Sequence, residues 1–165
     1  MKYLIPAIAL LLLLTILANR TQTPPDARND PKPYFPMPKP IDTLYKPIAL
    51  FIKRHEGFRK YPYDNGTIGY GTKVNLKHVT PHEATLLMRD HIQRDYDALS
   101  KHLPRKLALA MCPFAYNCGL TPALKIAKSK RFERILLYTH AKGKQLPGLV
   151  KRRKAEYQLI QKALR

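Results

Sequence analysis

The chain has 165 residues, 45% of them apolar, and a formal net charge of +19, which leaves room for one modest domain with appendages rather than several domains. From Thr43 onward, 25 Lys or Arg face 8 Asp or Glu, a balance that draws a protein to polyanions such as nucleic acid, anionic lipid or a carboxylate-bearing wall. No zinc-finger spacing or RNA-recognition signature accompanies that charge, and only Cys112 and Cys118 are available for disulfide or metal chemistry.

In chain order, the first element is an uncharged, Leu-rich run from Tyr3 to Ala18, set between Lys2 and Asn19-Arg20. As a helix it reaches about 24 Å, a little short of the roughly 30 Å hydrocarbon core. The run therefore fits a signal peptide or a marginal membrane anchor, and both imply export. Its end, Thr15-Ile16-Leu17-Ala18, lacks a small-x-small cleavage site, which favours an uncleaved or slowly released anchor. Lys2 votes for a cytoplasmic amino terminus, against Arg20 and Arg28 on the other flank. From Thr21 to Pro47 come eight prolines; such a segment cannot pair into a ladder and reads as an extended, semi-rigid spacer in preference to a ligand for aromatic grooves. The organisation expected is a signal-anchor or signal sequence over residues 1–20, a proline-rich linker over 21–46 and a folded domain over 47–165.

Apolar residues crowd through Ile48, Leu50, Phe51 and Ile52; Pro47 suits a first helical position and Gly57 a left-handed stop, which predicts a helix ending at Glu56. A carboxylate there stands at the negative pole of the helix dipole, disfavoured by up to about 1 kcal/mol, a placement that suggests a chemical purpose. Asn65-Gly66, flanked by Tyr61, Tyr63, Ile68 and Tyr70, predicts a two-residue hairpin that sets Asp64 opposite Thr67, about 5 Å apart at Cβ and able to hold a water. A general acid facing a water-holding pair is the chemistry this spacing suits. The plain alternatives are that Arg54 or Arg59 neutralises a surface Glu56 and that Asp64 caps its own turn. Gly66, Gly69 and Gly71 lie inside a hairpin and not at a strand-to-helix junction, so they do not make a phosphate cradle.

Thr80-Pro81-His82-Glu83 is a capping box, and Ala84, Met88, Ile92, Tyr96, Leu99 and Leu103 follow at helical spacing, predicting one long amphipathic helix to about His102. Leu107 to Ala115 is apolar almost all round, the mark of a central buried helix despite Pro113. Short helical pieces are expected around Ala123 to Ala127 and Arg131 to Tyr138. Gly148 introduces a last helix with Leu149, Arg153, Tyr157, Ile160 and Leu164 on one face. One hairpin and many helices make a mostly helical α+β domain. If helical, Cys112 and Cys118 lie on different faces and read as two small buried hydrophobes, although a kink at Pro113 keeps a bridge open and export permits oxidation. His78 and His82 are separated by the helix start at Pro81, so no zinc site is expected, and Ser100 and Ser129 stand in no nucleophile context.

The blocks His55-Glu56-Gly57-Phe58-Arg59, Tyr63-Asp64, Thr67-Ile68-Gly69-Tyr70-Gly71, Phe114-Ala115-Tyr116-Asn117-Cys118-Gly119 and Gly148-Leu149-Val150-Lys151-Arg152-Arg153-Lys154-Ala155-Glu156, taken in that order, resemble the phage-type lysozymes of glycoside hydrolase family 24. The resemblance implies a lysozyme-like fold with a small β-hairpin lobe and a helical lobe, and an endolysin that hydrolyses the β-1,4 bond between N-acetylmuramic acid and N-acetylglucosamine for host-cell lysis. It implies Glu56 as the general acid, Asp64 and Thr67 as the residues that position water, and inversion at the anomeric carbon, which fits carboxyls about 6.5 to 9.5 Å apart. It also implies Tyr70 and Asn117 lining the cleft, and Arg152 or Arg153 paired with Glu56. The spacings from Glu56 to Asp64 and from Asp64 to Thr67 are shorter than is typical of the family, and so is the stretch from Leu120 to Gly143. No cofactor or metal is expected, nor a nucleic-acid partner. The expected setting is a monomer on the periplasmic side of the inner membrane, anchored or released through its first segment, with peptidoglycan as substrate. A non-catalytic, tethered wall-binding protein and a lytic transglycosylase are the alternatives.

Overall fold

The computed structural model describes residues 45–63, 65–141 and 143–165. The expected membrane run, nearly all of the proline-rich spacer and Asp64 lie outside the described residues. Among the described residues, no helix is long and apolar enough to cross a membrane.

Helix α1 (Lys46–Glu56) carries proline in its first turn and buries only Ile48 and Ile52 against the core. Leu50 is exposed and Phe51 half-buried, because a helix shows the core one stripe and not a continuous apolar run. Gly57 ends it with φ 68° and ψ 171°. That is a positive-φ but extended conformation, essentially confined to glycine, in place of the left-handed stop expected. It turns the chain directly into strand β1 (Arg59–Tyr63), which pairs antiparallel with β2 (Thr67–Gly69), and β2 in turn with β3 (Thr72–Lys73).

The small lobe is thus a three-stranded sheet and not a lone hairpin. Asn65 and Gly66 both take positive φ, 59° and 80°, as their turn chemistry predicts. The register differs from the expectation: Thr67 pairs with Tyr63. The connection is three residues long, so Tyr63 faces Thr67 across the ladder. The β1–β2 ladder is irregular between Arg59 and Tyr63, where Pro62 has no N–H to offer; this is tolerated because β1 is an edge strand. Ile68, Val79 and Ala84 form the lobe's own core. Gly69, at φ +66°, is there because a Cβ would stand 2.7 Å from the Ala84 Cβ.

Helix α2 (Pro81–Leu99) starts at the predicted capping box. The Thr80 N–H donates to Glu83 Oε2 at 2.8 Å, and the Glu83 N–H donates to Thr80 Oγ1 at 3.2 Å. Its buried stripe runs through Ala84, Met88, Ile92 and Leu99, so it spans the small lobe and the main core. Helix α3 (Arg105–Cys118) is the central element, every side chain from Leu107 to Tyr116 being buried, and it continues through Pro113. Around it lie α4 (Leu120–Ser129), a 3₁₀ turn (Phe132–Leu137) and α5 (Pro147–Leu164). A second hairpin, β4 (His140–Ala141) with β5 (Lys144–Gln145), precedes α5 and was not among the expected elements. On α5, Ile160 and Arg153 are buried as the predicted face requires, whereas Leu164 is 56% exposed because the helix runs past the core. Arg152 and Glu156 join the buried set instead.

Asp95 of α2 is only 3% exposed. Its Oδ2 lies 3.6 Å from His91 Nε2 and has no hydrogen-bond partner among the described residues. Burial raises the carboxyl to about 6 against a weaker opposing pull from Arg94. An unfolded Asp titrates near 3.9, so the native chain holds this proton after the unfolded chain has lost it, and stability falls as pH rises from about 4 to about 6. Asp95→Asn should therefore raise the thermal midpoint at pH 7.5, by the equivalent of at most about 3 kcal/mol, and leave it nearly unchanged at pH 4. Melting curves at the two pH values check this.

Candidate active site

Three parts of the fold deliver groups to one carboxylate at the end of a fourth. Glu56 is the last residue of α1, half-buried with 17% of its side chain exposed, and Arg152 Nη1 of α5 stands 2.6 Å from its Oε1. The Asn117 amide, near the end of α3, donates to the same oxygen at 3.5 Å. Gly71, between β2 and β3, supplies the wall on the other side, where a Cβ would lie 3.0 Å from Glu56 Oε2. The pairing left open by the sequence is therefore with Arg152. Its guanidinium offsets the unfavourable field of the α1 carboxyl end for an ionised Glu56.

Behind this pair lies a second carboxylate. Glu156 is 0% exposed; it accepts from Arg152 Nε at 3.0 Å and pairs with Arg153 Nη1 at 3.1 Å. Positions 152, 153 and 156 meet because residues three and four apart share a helix face. Burial pushes the Glu156 carboxyl upward while the two guanidiniums pull it down. Arg153 in turn donates to Asn117 Oδ1, which turns the Asn117 amide nitrogen toward Glu56. The two arginines thus divide the work: Arg152 holds Glu56, and Arg153 orients Asn117. Glu156 and Gly71 are site residues that the sequence reading did not single out. The signal for the first was the Arg-Arg-x-x-Glu spacing.

Tyr70 is half-buried, its ring 5.6 Å from Phe58 and beneath the Lys53 ammonium, 4.9 Å away. Thr67 begins β2, half-buried. Since Ile68 points into the small-lobe core, strand alternation sends Thr67 to the opposite face. Asp64, the third expected catalytic residue, lies outside the described residues. Both cysteines are free. Cys112 is the small buried group expected, but Cys118 is half-buried and its sulfur accepts from Arg153 Nη1 at 2.8 Å, so it belongs to the polar cluster.

A family model described as phage lysozyme matches residues 53–156. The chain belongs to the phage lysozyme family. It is accordingly a lysozyme-type glycosidase whose substrate is peptidoglycan. It is 29% identical over 138 residues to an endolysin of Acyrthosiphon pisum secondary endosymbiont phage 1, covering 69% of this chain and 94% of that protein. Among solved structures, the active form of the P1 phage endolysin Lyz superposes with a TM-score of 0.58 at 21% identity, over 70% of this chain and 83% of that one. The muramidase domain of SpmX from Asticaccaulis excentricus gives 0.57 at 23% identity, over 68% and 92%. Both share the phage lysozyme fold described above.

Replacing Glu156 with Gln leaves two buried guanidiniums facing a neutral amide. Breaking one side of a buried ion-pair cluster costs on the order of 3–5 kcal/mol, so Glu156→Gln should lower the urea midpoint by that equivalent. Equilibrium unfolding followed by circular dichroism measures it.

Proposed function

We propose that this phage lysozyme is an inverting N-acetylmuramidase with Glu56 as its general acid, and that it serves host-cell lysis as an endolysin. The observation that carries the reading is the setting of Glu56: one half-buried carboxylate, tied through Oε1 to Arg152 and Asn117, with Oε2 against a glycine. The reaction follows from that arrangement. Protonated Glu56 gives its proton to the glycosidic oxygen as the bond between that oxygen and the anomeric carbon of the muramic acid residue breaks. Water attacks the anomeric carbon from the opposite face, and Asp64 takes its proton while Thr67 orients it. The product keeps a reducing end with inverted configuration. Tyr70 and Asn117 line the cleft beside the scissile bond, and no cofactor is needed.

Export fits the remaining features of the chain. In this reading residues 1–20 tether the enzyme to the inner membrane, residues 21–46 act as a spacer, and the domain over 47–165 reaches the wall from the periplasmic side. The surface charge draws that domain to a polyanionic substrate.

Glu56→Gln should reduce wall clearing by 10³-fold or more while leaving the circular dichroism spectrum unchanged, in line with the roughly 10²–10⁴-fold worth of a positioned acid. Asp64→Asn should cost about 10²-fold on the same scale. Mass spectrometry of digested peptidoglycan tests the bond cleaved. Reducing N-acetylmuramic acid ends support hydrolysis, and 1,6-anhydro ends would assign a transglycosylase instead.

A further inference from the structure

Resting on that reading of Glu56, we propose that Tyr116 is a positioning residue for the acid: its hydroxyl pins the turn whose glycine walls the Glu56 carboxyl. Tyr116, on α3, is 7% exposed and buried under the small lobe. Its hydroxyl donates to the Tyr70 carbonyl oxygen at 2.7 Å. The Tyr116 hydroxyl oxygen also lies 2.9 Å from Thr72 Oγ1. A phenol has one proton, already given to the carbonyl, so Thr72 donates to Tyr116. The two bonds therefore seize the residues on either side of Gly71.

Gly71 is where that grip matters. At φ +88° it brings bare backbone against the acid, with an added Cβ meeting Glu56 Oε2 at 3.0 Å and Cδ at 3.3 Å. A shift of a few tenths of an ångström in this turn would change the room around Oε2, which carries no hydrogen bond from Arg152 or Asn117. The Tyr116 ring is itself held from behind. The His91 ring of α2 packs on it with centroids 4.5 Å apart, and Asp95 stands behind His91. Burial raises the phenol to about 12, so it keeps its proton at any working pH. The ordinary alternative is a tyrosine that merely ties the small lobe to the helices. It predicts loss of stability alone, since nothing in it reaches Glu56.

Among the described residues, the titratable and charged groups around Glu56 are Arg152 of α5 with Glu156 behind it, His55 of α1 and Tyr116 of α3. Only the last is altered by Tyr116→Phe. The test measures reducing-end release from solubilised peptidoglycan between pH 4 and 8, below the melting temperature, using the full chain as wild type, Tyr116→Phe, Thr72→Val and Glu56→Gln. Tyr116→Phe should lower kcat about 10- to 100-fold with KM changed less than about twofold, as expected when a catalytic group is held slightly out of place. The alkaline limb of its pH profile should move to lower pH, because water admitted beside Oε2 favours the ionised form of the acid. Thr72→Val removes one of the two bonds and should shift the same limb in the same direction by less. It decides the question if Tyr116→Phe does not fold. Wild-type kcat and an unmoved limb in the folded variants overturn the proposal while leaving the role of Glu56 intact. Activity surviving in Glu56→Gln overturns the underlying reading instead.

Discussion

The chain of charges Glu56–Arg152–Glu156–Arg153 is the constraint on which the rest of this structure depends. Two carboxyl groups and two guanidiniums alternate at 2.6, 3.0 and 3.1 Å, so the groups are matched two to two although the protein as a whole carries a formal charge of +19. Burying charge is tolerable only when each charge has its opposite at hand. That requirement ties the end of α1 to the start of α5 across about a hundred residues of sequence. It also connects to α3 through Asn117, so the three helices that frame Glu56 are joined by polar bonds as well as by the apolar core.

This explains which parts of the molecule were legible in advance. Local chemistry announced itself: proline in the first turn of α1, the reciprocal bonds of Thr80 and Glu83, the all-apolar α3 and the positive φ of Asn65 and Gly66. The family motifs also proposed Glu56, Asn117 and one of Arg152 or Arg153 for a single site, and only the geometry chose Arg152 as the partner of Glu56. Periodicity failed where burial is decided by a distant partner. Arg152 and Glu156 break the apolar stripe of α5 yet are buried, because their partners come from each other and from α1. Asp95 interrupts α2 in the same way.

The small lobe shows a different kind of miss. A two-residue turn was the natural reading of Asn65-Gly66, and one more residue in the connection puts Tyr63 opposite Thr67. Side chains alternate along a strand, so register is sensitive to a single position, and nothing in the dipeptide specifies where the ladder closes. The hairpin before α5 escaped notice because each of its strands is only two residues long and fully exposed, leaving no hydrophobic pattern to read.

Strand β1 carries a consequence for the protein at high concentration. It is an outer strand, exposed along its whole length, and bears Arg59, Lys60 and Pro62, with Arg59 over the Tyr63 ring and Lys60 over the Tyr61 ring. An unprotected edge invites another copy to add its own strand; a missing amide, an irregular ladder and like charges each frustrate that pairing. Molecules crowded together therefore repel one another along this border, where they might otherwise polymerise.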